Sequence, residues 1–203
     1  MVEPEPVLPQ QATPADAVIT SVQWLFEPCW SGDRLMALLQ DGQVTLTDAA
    51  GEPAGQEFAE AADALLAALD ADAALIDGIW TAQPMAGNGG DGRAFVAIDL
   101  VELEGASLAE VPYQERRRLL ASVLAETTRV HISPSVRQPV GAWLRAWRGD
   151  GFTHYVAKHV NSRYHPGERA NDWLIVSADS EGSTSIGGRL LGRRPKKLLI
   201  IED

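Results

Sequence analysis

The dipeptide Asp41-Gly42 lies between two apolar runs, Leu35-Met36-Ala37-Leu38-Leu39 and Val44-Thr45-Leu46. Asp-Gly between apolar segments is a strong hairpin signal, because glycine adopts positive φ without steric penalty. An antiparallel strand pair is therefore expected early in the chain. Further short apolar runs read as strands: Ala74-Leu75-Ile76 ending near Trp80, Ala94 to Val101, Tyr155-Val156-Ala157, Trp173 to Val176, and Leu198 to Ile201. Helical spacing appears over 57–69, with Phe58, Leu65, Leu66 and Leu69, and again with Leu119, Leu120, Val123 and Leu124. Pro139 opens a third candidate helix, with Trp143, Leu144 and Trp147 facing inward and Gly149 and Gly151 near its end. Strands and helices mix without regular βα alternation. The pattern predicts an α+β fold of mixed or antiparallel sheets with flanking helices, not a doubly wound sheet.

Order is expected to begin near Val22, after a disordered Pro-, Gln- and Ala-rich leader over 1–19. One domain then spans 20–180, and 181–203 forms a basic C-terminal tail. Gly87 to Gly92 reads as a flexible loop; no Gly-Lys-Ser/Thr follows it, so it is not a phosphate-binding P-loop.

With 203 residues, 45% of them hydrophobic and 22% charged, the chain can bury a substantial core. No apolar run approaches the roughly 18–20 residues of a membrane span. The acidic, proline-bearing start is not a secretory signal, and a cytoplasmic setting is expected. The single cysteine excludes an intramolecular disulfide and a cysteine-built zinc site. His154, His159 and His165 share one stretch, but on a strand His154 and His159 face opposite sides, so no metal site is expected. The six tryptophans are expected mostly in the core.

The net charge of −11 conceals an asymmetry. Residues 1–110 carry two basic and 19 acidic residues; residues 111–203 carry 15 basic and 9 acidic ones. A basic face can bind locally although the whole protein is acidic. The most basic segment holds Arg189, Arg193, Arg194, Lys196 and Lys197, candidates for contact with DNA phosphates or an acidic partner.

Three stretches, in order, resemble one family. The clearest is Lys158-His159-Val160-Asn161-Ser162-Arg163-Tyr164-His165-Pro166-Gly167, followed by Asp172-Trp173-Leu174. Phe26-Glu27-Pro28-Cys29-Trp30-Ser31-Gly32-Asp33-Arg34 is similar to a Glu-Pro-Lys-x-Asp-Gly-x-Arg motif. The third runs from Leu75-Ile76-Asp77-Gly78 through Phe95, Asp99-Leu100 and Leu103-Glu104-Gly105 to Pro112-Tyr113-Gln114-Glu115-Arg116-Arg117. Together they resemble the nucleotidyltransferase domain of ATP-dependent DNA ligases, of the bacterial kind especially, over roughly residues 20–178. The resemblance implies that family's ATP-grasp-like fold.

It also implies a chemistry with definite requirements. In the family a lysine amine attacks the α-phosphorus of ATP and forms lysyl-AMP. Carboxylates hold a divalent metal, and further lysines bind phosphate. Here Cys29 stands at the nucleophilic-lysine position and Ser31 at that of an aspartate. Ile79 replaces a glutamate, Thr153-His154 replaces Glu-Gly, and Ile175 and Ser177 replace the lysines of Lys-x-Lys. The residues kept are mainly those that define turns and anchors. Losing one transition-state contact typically lowers a rate by about 10²–10³; losing the covalent acceptor removes the path. The family's OB-fold domain is also expected to be absent from these 203 residues.

The expectation is therefore a DNA ligase-like pseudoenzyme, a binding or regulatory module in DNA repair, with no catalytic residue and no metal. Glu27, Arg34 and Lys158 form a vestigial nucleotide-binding set. Glu27 and Arg34 are expected to pair across the old cleft, Lys158 to be structural or on the surface, and Cys29 to be a small packing residue. DNA or a DNA-repair protein would meet the basic C-terminal half, and no membrane is involved. Two alternatives stand beside this reading. One is an active ligase with an unusual nucleophile; the other is a noncatalytic adenine-nucleotide sensor. ATP and Mg²⁺ enter only in those cases.

Overall fold

The computed structural model describes residues 6–82, 92–178 and 199–201. The chain order is β1 (Gln11–Ala15), β2 (Ala17–Ile19), β3 (Trp24–Pro28), β4 (Asp33–Gln40), β5 (Gln43–Asp48), α1 (Ala59–Ala68), β6 (Ala74–Thr81) and β7 (Ala94–Leu103). It continues with β8 (Ala106–Ser107), α2 (Tyr113–Val123), β9 (Val130–Ile132), α3 (Gly141–Gly149), β10 (His154–His159), β11 (Arg169–Ser177) and β12 (Leu199–Ile201).

The hairpin forms as the sequence requires. Asp41 and Gly42 take φ of 52° and 70°, and Gln40 pairs with Gln43 across the turn. Two positive φ values are what a two-residue hairpin needs to match the strand twist. From this pair a six-stranded sheet grows in the order β5-β4-β6-β7-β8, with β9 parallel to β7. A four-stranded sheet runs β1-β11-β10-β3, and β12 pairs with β2 in a third, two-stranded sheet.

Strand periodicity then sorts the side chains. On one face of the large sheet Ala37, Ile76, Trp80, Phe95 and Ala97 share an apolar cluster with Ala61 and Leu65 of α1 and Leu120 of α2. The other face carries Met36, Leu75 and Val101, which cluster with Tyr164 and Trp173. Residues 94–101 of β7 are buried on both sides, which explains their continuous apolar run. Phe26, Tyr155, Leu174 and Val176 of the small sheet join Leu144 and Trp147 of α3 in a second core, which reaches Ile79, Val96 and Ile98 of the large sheet. Gly78 is where the backbone must lack a side chain: a Cβ there would lie 2.2 Å from the Phe95 ring.

Two expectations change. The leader is not disordered from Gln11 onward: β1 pairs in parallel with β11, from Gln11 with Arg169 to Ala15 with Val176, and Ala17 and Ile19 are fully buried. Its prolines hide any periodicity, but β1 is an edge strand, where the missing N–H of Pro14 is tolerated. Trp143 is 49% exposed, while Leu144 and Trp147 are buried. At ~100° per residue Trp147 lies between Leu144 and Trp143 around the helix, so Trp143 falls on the rim of the buried arc. The predicted strand near the C-terminus is β12, which pairs Leu199 to Ile201 with Ala17 to Ile19. Gly87 to Asp91 of the glycine-rich loop and the basic residues Arg189, Arg193, Arg194, Lys196 and Lys197 lie outside the described residues.

Candidate functional site

A cavity of about 330 Å³ opens between the small and large sheets. Glu27 of β3, Cys29 just after it, Arg34 of β4 and Lys158 of β10 all line it. The fold therefore brings the residues of the expected set to one place. Their local geometry follows from strand register. Val156 of β10 pairs with Glu27 and Lys158 with Leu25 on one side, and Lys158 pairs with Trp173 on the other. Gly32 ends the connection between β3 and β4 at φ 145°, where a Cβ would meet the Trp80 carbonyl oxygen at 2.3 Å. Only glycine fits that turn, which swings Arg34 back toward the cleft.

Beneath the cavity is a buried ionic row. Asp77 of β6 stands directly opposite Asp99 of β7, and both are fully buried. Two like charges opposite each other across a strand pair are destabilising unless each is neutralised. Arg34 clamps Asp77 through Nε and Nη2 at 2.5 and 2.7 Å, and the Tyr164 hydroxyl donates to the same carboxylate at 2.8 Å. Arg116 of α2 clamps Asp99 in the same bidentate way, at 2.8 and 2.7 Å. Lys158 Nζ lies 3.3 Å from Glu27 Oε2 and donates to the Ile98 carbonyl at 2.7 Å. It sits over the rings of Trp173 and Tyr113, 4.1 and 4.6 Å from their centroids. The Tyr113 hydroxyl donates to Glu27, and Arg117 Nη1 lies 3.7 Å from the same carboxylate.

The electrostatics follow from this burial. Desolvation pulls the Lys158 amine below its ordinary pKa, against the opposing pull of Glu27. Burial and the neighbouring Glu27 carboxylate hold the Tyr113 phenol well above its usual range; burial and Asp77 do the same to Tyr164. Burial also pushes the Cys29 thiol up, with Arg34 pulling the other way. A thiol raised in this way stays protonated at neutral pH and is a poor nucleophile.

The expected Glu27–Arg34 pair does not form. Arg34 pairs with Asp77, and Glu27 pairs with Lys158. The reason is register: Arg34 lies opposite Ile79, so Asp77, two residues away on β6, is its diagonal neighbour on the same face. Lys158 is not at the surface but 1% exposed. Asp77, Asp99 and Tyr164 lie within the family-like motifs, and nothing local in the sequence assigns them partners. Tyr113 and Arg116 stand in the third motif stretch with no local sign of their roles. The only local signal was the alternation of β4 and β6, which places Arg34 and Asp77 on one face. His154 is exposed, His159 meets Trp24 edge-on at 5.3 Å, and His165 lies 3.7 Å from Asp172.

The residues do not fit a metal–nucleotide complex. Glu27, Asp77 and Asp99 are each committed to a cation of the protein. Among the described residues no three His, Cys, Asp or Glu side chains come together to hold a metal ion. Ile79 and Ile175, both apolar, line the cavity.

Comparison with known proteins places this arrangement. The family profile of the ATP dependent DNA ligase domain matches residues 92–176. The structure of a mycobacterial DNA ligase D complexed with ATP and MES superposes with a TM-score of 0.68 at 25% identity, covering 84% of this chain and 60% of that one. The ligase domain of LigD from M. tuberculosis superposes at 0.65. Two β-sheets flanked by helices about a common cleft thus define the nucleotidyltransferase class of fold. Within it, this domain matches the adenylation domain of ATP-dependent DNA ligases of the LigD kind. The multifunctional non-homologous end joining DNA repair protein LigD of Mycobacterium tuberculosis is 33% identical over 182 residues, covering 85% of this chain. DNA ligase C1 of Mycolicibacterium smegmatis is 25% identical over 171 residues, covering 72% of this chain and 49% of that protein. The chain spans 24% of the length of the LigD protein.

Proposed function

We propose that this DNA ligase-like domain does not adenylate itself and acts as a binding or regulatory module in DNA repair. The observation that supports this most is at Cys29. A thiol whose pKa is raised by burial stands where the resemblance places the family's nucleophilic amine. Around it, Arg34 and Lys158 are held by Asp77 and Glu27. A reaction that needs a free amine, a metal-binding carboxylate set and phosphate-binding cations has none of the three among the described lining residues. The setting in DNA repair rests on likeness to LigD, and contact with DNA or a repair protein is assigned to the basic C-terminal half. Among the described residues no helix is long and apolar enough to cross a membrane; a cytoplasmic setting belongs to this reading.

The test is the intact mass of the protein after incubation with ATP and Mg²⁺ or Mn²⁺, beside a control ligase. The expected result is no AMP adduct while the control is labelled. A second reading has one observation in its favour: the Lys158 amine, its pKa lowered by burial, lines the same cavity as Cys29. An adduct mapped to Lys158 would establish that reading and overturn the first; an adduct on Cys29 would overturn the first as well.

A further inference from the structure

We propose that the inter-sheet cavity binds an uncharged, predominantly apolar ring compound and excludes nucleotides. This deepens the noncatalytic reading above and rests on it. The argument is an accounting of charge. An anionic ligand needs cations that are free to meet it. Two cationic side chains, Arg34 and Lys158, are among the residues that line the cavity. Arg34 makes a bidentate pair with the fully buried Asp77. Lys158 is held by Glu27, by the Ile98 carbonyl and by two aromatic rings. Moving either toward a phosphate would take from a buried carboxylate its nearest cation. Glu27, itself 2% exposed, lines the cavity as the partner of Lys158, so the pair presents no net positive charge to an anion.

The walls point the same way. Ile79, Ile98, Val156 and Ile175 face the space with Trp30 and Trp173. Ile79 and Ile175 stand where the resemblance places a glutamate and a lysine, so both departures replace charge by bulky apolar surface. Pro9 to Ala12 line the remaining side. That segment is tied down by the Gln10 N–H, which donates to the Tyr164 hydroxyl at 3.1 Å, and by Arg34 Nη2, which reaches the Gln10 carbonyl at 3.3 Å. A volume of about 330 Å³ lies at the small end of ligand pockets. A half-open, mostly apolar space of that size with aromatic walls suits a planar or compact ring.

The experiment uses the full chain and four probes: indole and adenosine as uncharged rings, AMP and ATP as charged ones. Saturation-transfer NMR and thermal shift would be measured for each. The expected result is binding of indole or adenosine, with AMP and ATP at least about ten-fold weaker, a difference of ~1.4 kcal/mol. Ile175→Trp, which fills the cavity, should weaken the uncharged probe by about ten-fold. Ile175→Ala, which enlarges it, should retain binding and shows that the site tolerates substitution there. AMP or ATP binding as tightly as adenosine would overturn the proposal, as would no binding by either uncharged ring. Nucleotide binding without an AMP adduct sinks this inference alone. An adduct sinks the noncatalytic reading as well.

Discussion

Arg116 and Asp99 are both fully buried and meet through two hydrogen bonds. Arg116 also donates to the carbonyls of Val111 and Ser162, so its guanidinium is held by three segments of chain. Removing one partner of such a pair leaves the other charge buried without compensation. Arg116→Ala is therefore expected to destabilise the protein by about 3–5 kcal/mol, read from the midpoint of urea unfolding. Arg118→Ala, which breaks the exposed pair with Glu115, should leave the midpoint essentially unmoved. Equal effects at the two positions would refute the assignment. At this scale the sequence was legible in kind but not in partnership. Glu27, Arg34 and Lys158 stand out in the sequence as one set, and Asp77 and Asp99 fall within a family-like motif. Which cation neutralises which carboxylate depends on register between strands far apart in sequence, and local reading paired Glu27 with Arg34 wrongly.

Among the elements, α3 shows how far periodicity reaches. Its spacing identified the helix and two of its three inward positions. Trp147 is buried in the second core with Leu144 and Phe152, whereas Trp143 reaches solvent and touches the Trp147 ring at a centroid distance of 6.4 Å. Trp147→Ala should lower stability by about 3–5 kcal/mol. Trp143→Ala should lower it by less than about 1 kcal/mol. Matching losses in thermal or chemical unfolding would mean that Trp143 belongs to the core after all. β1 illustrates the opposite limit. A strand that contains Pro14 and alternates poorly carries no local signal, and its order comes from pairing with β11 and from the buried contacts of Gln10. Edge position, which is a tertiary property, makes the proline acceptable.

For the whole molecule the buried ionic row predicts a pH response. Tyr113 and Tyr164 have folded pKa values above the ordinary value of about 10. Their contribution to stability is fully present below that unfolded value and is lost as pH rises through the folded one. Lys158 acts in the other direction: its folded pKa lies below about 10.4, so between the two values the unfolded chain binds more protons and stability rises with pH. Stability should therefore hold or rise up to about pH 10 and fall beyond it. In an alkaline titration the tyrosinate absorbance of these two residues should appear together with the loss of far-UV circular dichroism. Tyrosinate forming at both residues in a chain that is still folded would contradict their burial.

The turn at Asp41-Gly42, the apolar runs of β6, β7, β10 and β11, and the helical spacings are local properties. A glycine's freedom at positive φ and the two-residue or 3.6-residue period act within a few residues, so these elements could be read from the sequence, as could the α+β class and the ligase-like motif order. The substitutions at Cys29, Ile79 and Ile175 were likewise plain in the sequence, and they defined what the cleft lacks. Tertiary structure alone decided that residues 11–19 are ordered, that Trp143 lies outside the core, and that the remaining charges of the cleft neutralise one another. Those outcomes depend on which distant strands lie side by side and how completely they exclude water. Burial makes an unpaired charge costly, so the final pairing of Arg34 with Asp77, Arg116 with Asp99 and Lys158 with Glu27 was set by the packed sheets.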